Sequence, residues 1–374
     1  MIVAGEASGD IYGGRLAEKV KMLRPDAEIF GIGGTSMQAA GVRLLFNPTA
    51  LSAVGLAEAV RSVAVLRRVL TKAIEALASE APDCLVLIDF PEFNMRLADA
   101  ARRCGVKAVY LFPPTAWAWR RGRAKKVAKT VTKVASVFPL EAEVYREAGA
   151  SVEFVGHPLL DLVEPARPGD REAARKDLGL ESARVVGILP GSRSQEIRLL
   201  LPPLLDAAAR IARAKPEVGF VMPIAHTVSG EYVRARVEAS GVSVRVVSGQ
   251  ANRCMAAADA LMVASGTATL EAAIIGTPMV VVYRTSSSTW ALGKLLLTIP
   301  YISWPNILAG SRIVPELLQG EASGPRIAGE ILRILDNPGL AARMAADLAE
   351  ARAKLGSTGA LDRTARLVTE VAGA

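Results

Sequence analysis

Short apolar runs alternate with longer amphipathic stretches along most of this chain. Residues 2–4 form the first run, a helical pattern covers 13–23, and further runs follow at 28–32, 84–88, 107–111 and 133–138. Runs this short, each separated from the next by an amphipathic stretch of helix length, predict parallel strands covered on both faces by helices. The polar, proline-bearing segment Glu164-Pro165-Ala166-Arg167-Pro168-Gly169-Asp170 breaks the rhythm, which restarts at 185–189 and continues through 219–222, 243–247, 260–264 and 279–283. The expected fold class is therefore α/β, with two Rossmann-like domains, 1–164 and 171–345, whose strand ends face a cleft. Alanine-rich, charged helices from about residue 325 to 371 fit over either domain, and residues 346–374 are read as C-terminal helices able to cross back to the first.

A chain of 374 residues is too long for one ordinary core, and 51% hydrophobic content is that of a globular protein. The longest apolar stretches, such as Pro278-Met279-Val280-Val281-Val282-Tyr283, fall short of the ~18 to 20 residues that span a bilayer. A start at Met1-Ile2-Val3-Ala4-Gly5 leaves no room for a signal or transit peptide, so a cytoplasmic location is expected; the first strand looks clipped, which puts the start codon in question. Cys84, Cys104 and Cys254 show no metal-ligand spacing and fit a reducing compartment.

The net charge of +8 is unevenly placed. Between Asp99 and Glu141 there is no acidic residue but ten basic ones, and Arg120, Arg121, Arg123, Lys125, Lys126, Lys129 and Lys133 follow Trp117-Ala118-Trp119. Interfacial aromatics beside cations suit an anionic membrane surface or a phosphorylated lipid. Nucleic acid and a solvated basic helix remain open on composition alone.

The segment Ser265-Gly266-Thr267-Ala268-Thr269-Leu270-Glu271 joins the run 260–264 to an alanine-rich helical stretch. Gly266 permits close approach of a ligand, and the free N–H groups and positive dipole end of the helix favour a phosphate. With Thr267 as N-cap, the capping-box position is Leu270, and the residue three before Glu271 is Ala268, which cannot cap. Glu271 is therefore expected to meet a ligand, and a nucleotide's ribose hydroxyls would suit it.

Three further strand-to-helix corners carry candidate chemistry. Gly5-Glu6-Ala7-Ser8-Gly9-Asp10 is not a G-x-G-x-x-G fingerprint, nor is Gly31-Ile32-Gly33-Gly34, so a dinucleotide cofactor is poorly supported. Ser8 and the amides near Gly9 suit a sugar or phosphate, with helix capping by Ser8 or Asp10 as the alternative. In Leu87-Ile88-Asp89-Phe90-Pro91-Glu92-Phe93-Asn94, Asp89 ends a buried strand, where partial desolvation raises a carboxylate's pKa toward that of a useful general base; capping is again the alternative. In Leu189-Pro190-Gly191-Ser192-Arg193, a guanidinium at a helix start opposes the dipole, which an anion such as a diphosphate would reconcile. No Asp-x-Asp signature occurs, so neither a metal nor a cofactor is expected, and Arg193 with backbone amides must meet the diphosphate charge. His157 reads as structural, with cleft lining as the alternative, and His226 is too far along the chain to pair with it.

Taken in order, the 5–10, 88–94, 189–193 and 264–271 segments, with Trp117-Ala118-Trp119-Arg120, Phe154-Val155-Gly156-His157 and Pro305-Asn306-Ile307-Leu308-Ala309-Gly310, resemble the lipid-A-disaccharide synthase family from residue 1 to about 320. That resemblance implies the two-domain glycosyltransferase-B fold, action at the cytoplasmic face of the inner membrane of Gram-negative bacteria, and no metal. It implies transfer from UDP-2,3-diacylglucosamine to the 6-hydroxyl of 2,3-diacylglucosamine 1-phosphate, with inversion, giving a β-1,6-linked disaccharide and UDP. Carried over by motif, Asp89 becomes the catalytic base. Ser8, Ser192, Arg193, Gly266, Thr267, Glu271 and Asn306 become donor contacts, with Glu271 on the ribose.

Trp117, Trp119, Arg120, Arg121 and Arg123 become membrane- and acceptor-facing, which favours a lipid surface over nucleic acid. The stretch 51–77, with Arg61, Arg67, Arg68 and Lys72 among Val and Leu, could add an insertion face or pack on the core. A homodimer is compatible with the reading. Ala7, where a hydroxyl residue is frequent, and Pro113-Pro114-Thr115, where serine is usual, depart from the family pattern and bear on acceptor contacts. The competing readings are another UDP-sugar glycosyltransferase or epimerase of the same fold, and a non-catalytic basic protein binding RNA or membrane through residues 102–133.

Overall fold

The computed structural model describes residues 1–48, 56–116, 122–225, 227–286, 290 and 300–373, with backbone only for 56–64. The chain forms two compact units, Met1–Asp161 with Leu355–Ala374, and Leu162–Lys354.

The first unit is a seven-stranded parallel sheet of β1 (Ile2–Ala4), β2 (Phe30–Ile32), β3 (Arg43–Phe46), β4 (Cys84–Ile88), β5 (Lys107–Leu111), β6 (Lys133–Ser136) and β7 (Val152–Phe154). The spatial order is β3-β2-β1-β4-β5-β6-β7. Helices α1 (Ala7–Leu23), α2 (Thr35–Ala39), α3 (Leu56–Glu80), α4 (Pro91–Arg103), α5 (Gly122–Thr130) and α6 (Pro139–Glu147) connect the strands. Every residue of β4 is buried, as a central strand covered on both faces must be, and this is why its sequence is an unbroken apolar run. The edge strands β3 and β7 are only partly buried and carry Arg43 and Glu153, so their sequences lack the run that marks the others.

The second unit repeats the plan with β8 (Arg184–Leu189), β9 (Val218–Ile224), β10 (Arg245–Ser248), β11 (Ala260–Ala264), β12 (Met279–Tyr283) and β13 (Glu316–Leu318), in the order β10-β9-β8-β11-β12-β13, all parallel. Its helices begin with α7 (Asp170–Leu178), α8 (Ser194–Ala214), α9 (Gly230–Ala239), α10 (Ala251–Ala257) and α11 (Thr267–Ile275).

The segment 346–374 does not act as one block. Helix Pro338–Ala353 stays with the second unit, while helix Ala360–Gly373 belongs to the first and packs on α1. The Asp161 carboxylate accepts the backbone N–H groups of Gly359 and Leu361 at the start of that last helix, and Arg363 Nε donates to the Val155 carbonyl at 2.8 Å.

In each sheet the chain reverses its direction of growth once, between β1 and β4 and between β8 and β11. Strand ends at such switch points are where open α/β sheets bind ligands. The loop after β1 holds Gly5 and leads into the first turn of α1, which holds Ser8, and the loop after β4 holds Asp89. In the second unit, the loop after β8 holds Ser192 and Arg193, and the loop after β11 holds Gly266. The registers Ala4 with Ile88 and Leu189 with Val263 place each pair of loops on neighbouring strand ends.

Candidate active site

At the switch point of the second unit, Gly266 is itself the N-cap of α11; Thr267, expected in that role, is the first helical residue. Gly266 has extended backbone at φ 161°, open to any residue, and a Cβ built there would meet nothing within 4 Å. Among the described residues neither conformation nor packing demands glycine at this position, and a glycine leaves the backbone open to close approach. Gly266 and Thr267 are exposed, no acidic residue occupies the first turn, and the first N–H groups of a helix have no partner within it. Glu271, the fifth helical residue, is half-buried, and burial raises its pKa above the ordinary carboxylate value. Its carboxylate has no hydrogen-bond partner among the described residues.

The neighbouring corner is built differently. Gly191 holds φ 109°, a left-handed conformation that favours glycine, and a Cβ there would collide with the Glu196 carboxylate. Glu196, at the third position of α8, folds back to accept the N–H groups of Ser192 (3.1 Å) and Arg193 (3.3 Å). The Ser192 carbonyl accepts the Thr227 hydroxyl at 2.6 Å. Arg193 is the N-cap, and its side chain is 71% exposed with its guanidinium 3.9 Å from Glu196. The dipole's opposition to a cation here is thus already offset by Glu196, so charge placement alone does not require an anion.

Asn306 departs from its expected role. It is fully buried; its Nδ2 donates to the Val314 carbonyl (3.0 Å) and Glu316 Oε1 (2.8 Å), while its Oδ1 accepts from Ile313 N (2.8 Å) and Val314 N (2.9 Å). Glu316 Oε1 also accepts from Ser303 Oγ at 2.6 Å. Both donors and the acceptor of the amide are consumed in joining helix Trp304–Ala309 to β13, which leaves a phosphate or sugar no direct contact with it.

In the first unit, Asp89 lies just beyond β4, and Phe90, not Asp89, is the N-cap of α4. Both hold left-handed backbone, φ 49° and 50°. A non-glycine residue costs about 1–3 kcal/mol in such a conformation, and strain of this kind gathers at functional sites. The Asp89 carbonyl accepts the Asn94 Nδ2 at 2.7 Å and the Tyr110 hydroxyl at 2.9 Å. The ring of Phe90 lies over Gly5, where a Cβ would overlap it. Ser8 is exposed in the first turn of α1. The buried Asp10 carboxylate caps α2 instead of its own helix, accepting from Gly34 N (2.6 Å), Ser36 N (2.9 Å) and Met37 N (3.0 Å).

His157 is buried, accepts the Leu159 N–H on Nδ1 at 3.1 Å and packs against Phe112 and Phe138. Burial drives its pKa down to about 3, so it stays neutral. Arg123, expected to face membrane or acceptor, pairs with Glu92 across α4 and α5, with only 17% of its side chain exposed. Trp117, Trp119, Arg120, Arg121, His226 and residues 51–55 lie outside the described residues. Among described residues, no helix is long and apolar enough to cross a membrane.

Glu196, Asn94 and Tyr110 emerge only from the structure. The Glu three residues after Arg193 is a signal that sequence spacing could have flagged as a cap. Nothing in the sequence ties Tyr110 to Asp89, 21 positions away.

Solved structures similar to this one share the fold. A UDP-GlcNAc 2-epimerase from Neisseria meningitidis bound to UDP-GlcNAc superposes with a TM-score of 0.65 at 12% identity, covering 99% of both chains. A glycosyltransferase from Rickettsia africae superposes at 0.56 and 13% identity, covering 99% of this chain and 97% of the other. These are the α/β folds of the GT-B glycosyltransferases and related epimerases. Sequence similarity is far stronger elsewhere. The lipid-A-disaccharide synthase of Geobacter sulfurreducens is 42% identical over 374 residues, covering 100% of this chain and 97% of the relative. That of Myxococcus xanthus is 41% identical over 372 residues, covering 99% and 97%. The model of the lipid-A-disaccharide synthetase family matches residues 1–371. With two switch-point sites and a match of this length, the chain belongs to the lipid-A-disaccharide synthetase family.

Proposed function

We propose that this protein is a lipid-A-disaccharide synthase, a glycosyltransferase that moves 2,3-diacylglucosamine from UDP-2,3-diacylglucosamine to the 6-hydroxyl of 2,3-diacylglucosamine 1-phosphate. The observation that carries the reading is family membership over nearly the whole chain, joined to the open α11 corner. Relatives named for this one activity at 42% identity outweigh an epimerase likeness at 12%.

Asp89 takes the proton of the acceptor 6-hydroxyl as its oxygen attacks the donor's anomeric carbon. The bond from that carbon to the diphosphate breaks, and the configuration inverts to the β linkage. The N–H groups at the start of α11 and the Arg193 guanidinium stabilise the charge that develops on departing UDP. Glu271 holds the ribose, and Ser192 and Ser8 reach the phosphates or sugar with their hydroxyls. Arg67, Arg68 and Lys72, exposed on α3, together with the tryptophan-led basic segment, bring the first unit to an anionic membrane, with the enzyme peripheral at the cytoplasmic face of the inner membrane.

UDP release from the two acylated sugars in detergent micelles tests the reaction, and absence of turnover would sink it. Asp89→Asn should lower kcat by about 10³-fold, within the range for loss of a positioned base, while UDP affinity stays within about twofold. Near-normal turnover in that variant removes Asp89 from the mechanism.

A further inference from the structure

We infer that Asn94 and Tyr110 are positioning residues for Asp89, acting on its backbone so that its carboxylate is presented in one direction; this rests on the reading of Asp89 as the base. Two successive left-handed residues of non-glycine type, Asp89 and Phe90, follow β4. Left to itself such a segment relaxes to ordinary backbone, and turning the 89–90 peptide would swing the carboxylate away. Two donors oppose this turn from different elements. Asn94, wholly buried on α4, donates to the Asp89 carbonyl at 2.7 Å and to the Ile88 carbonyl at 3.3 Å. Tyr110, wholly buried on β5, donates its hydroxyl to the same Asp89 oxygen at 2.9 Å.

Burial pushes the Tyr110 pKa well above its ordinary value, so the hydroxyl keeps its proton and remains a donor throughout the working range. A third restraint comes from Phe90, whose ring is seated over Gly5 and stacks on Phe93 with centroids 4.9 Å apart. Backbone carbonyl, peptide plane and neighbouring ring are thus all fixed.

The test is a pair of cycles measured as UDP release. Tyr110→Phe keeps the buried ring and removes one donor; it should lower kcat about tenfold. Asn94→Ala should lower it about 100-fold, the scale of loss for a reacting group displaced by about 1 Å. In both, UDP affinity should remain within about twofold, since the donor corner belongs to the other unit. Combined with Asp89→Asn, each substitution should cost less than about twofold further, because a positioner has nothing left to position.

Unchanged kcat in Tyr110→Phe, or the same loss with and without Asp89, would overturn the inference and leave the base assignment standing. Near-normal turnover of Asp89→Asn alone would overturn both. Should Asn94→Ala fail to fold, as judged by its melting curve, Tyr110→Phe decides.

Discussion

Two corners of the second unit leave adjacent strands at the same end of one sheet, yet they are finished in opposite ways. At α8, Glu196 turns back onto the N–H groups of Ser192 and Arg193, and Gly191 is required both by its φ of 109° and by the carboxylate packed against it. At α11, no acid turns back, Gly266 is conformationally ordinary, and no described residue fills the space over it. The first unit offers a second closed corner at α6, where Glu141 accepts from Ser136 Oγ (2.8 Å) and Val137 N (3.1 Å). A helix start that satisfies itself is part of the scaffold, and one left unsatisfied at a switch point is where an anion belongs. On the proposed function, the closed α8 corner would serve the donor through its side chain, Arg193, and the open α11 corner through its backbone.

The contrast can be broken most sharply at Gly266. Gly266→Ser inserts a favoured helix cap into open space, so thermal stability should hold or rise, while UDP affinity measured by calorimetry should fall about 100-fold as the new hydroxyl takes the N–H groups and volume meant for phosphate. Unaltered affinity would mean that the α11 corner is not the anion site.

At the closed corner the order of effects should reverse. Gly191→Ala is strained and displaces Glu196, so urea denaturation should show a loss of about 2 kcal/mol, with UDP affinity falling only about threefold. An affinity loss matching that of Gly266→Ser would erase the distinction between the corners.

The smallest effect on donor binding, none, is expected at α6. Burial pushes Glu141 from 4.5 up to about 7, against its hydrogen bonds to Ser136 and Val137. The folded state therefore binds a proton that the unfolded chain has released, so stability is greatest below about pH 4.5, declines as pH rises to about 7, and is flat beyond. Glu141→Gln should remove that decline, on the order of 3 kcal/mol across the window, with UDP affinity unchanged. Melting curves between pH 4.5 and 8 that overlay those of the parent protein would show Glu141 to be charged when folded.

Much of this organisation is legible in the sequence. The runs at 84–88, 107–111, 260–264 and 279–283 coincide with β4, β5, β11 and β12, because strands buried on both faces must be apolar throughout. The edge strands β3, β7 and β13 escape that reading, since a strand paired on one side only need not be apolar along its length. The corners bearing Asp89, Arg193 and Gly266 were visible as glycine, carboxylate and guanidinium at the ends of such runs. Asn306 looked like one of them, yet its amide is spent entirely on residues 313–316.

The sequence by itself determined the two-fold β-α-β rhythm, the residue types at each strand end and, through 42% identity to named relatives, the family. These follow from composition along the chain, where burial dictates polarity position by position. The tertiary structure alone decided which helix start is closed and which is open, that Asn306 is consumed, that helix Ala360–Gly373 returns to the first unit, and that Asn94 and Tyr110 hold the Asp89 carbonyl. Hydrogen-bond saturation and backbone conformation depend on partners that the fold brings together, and a residue's identity states only what it can bond, not what it has bonded.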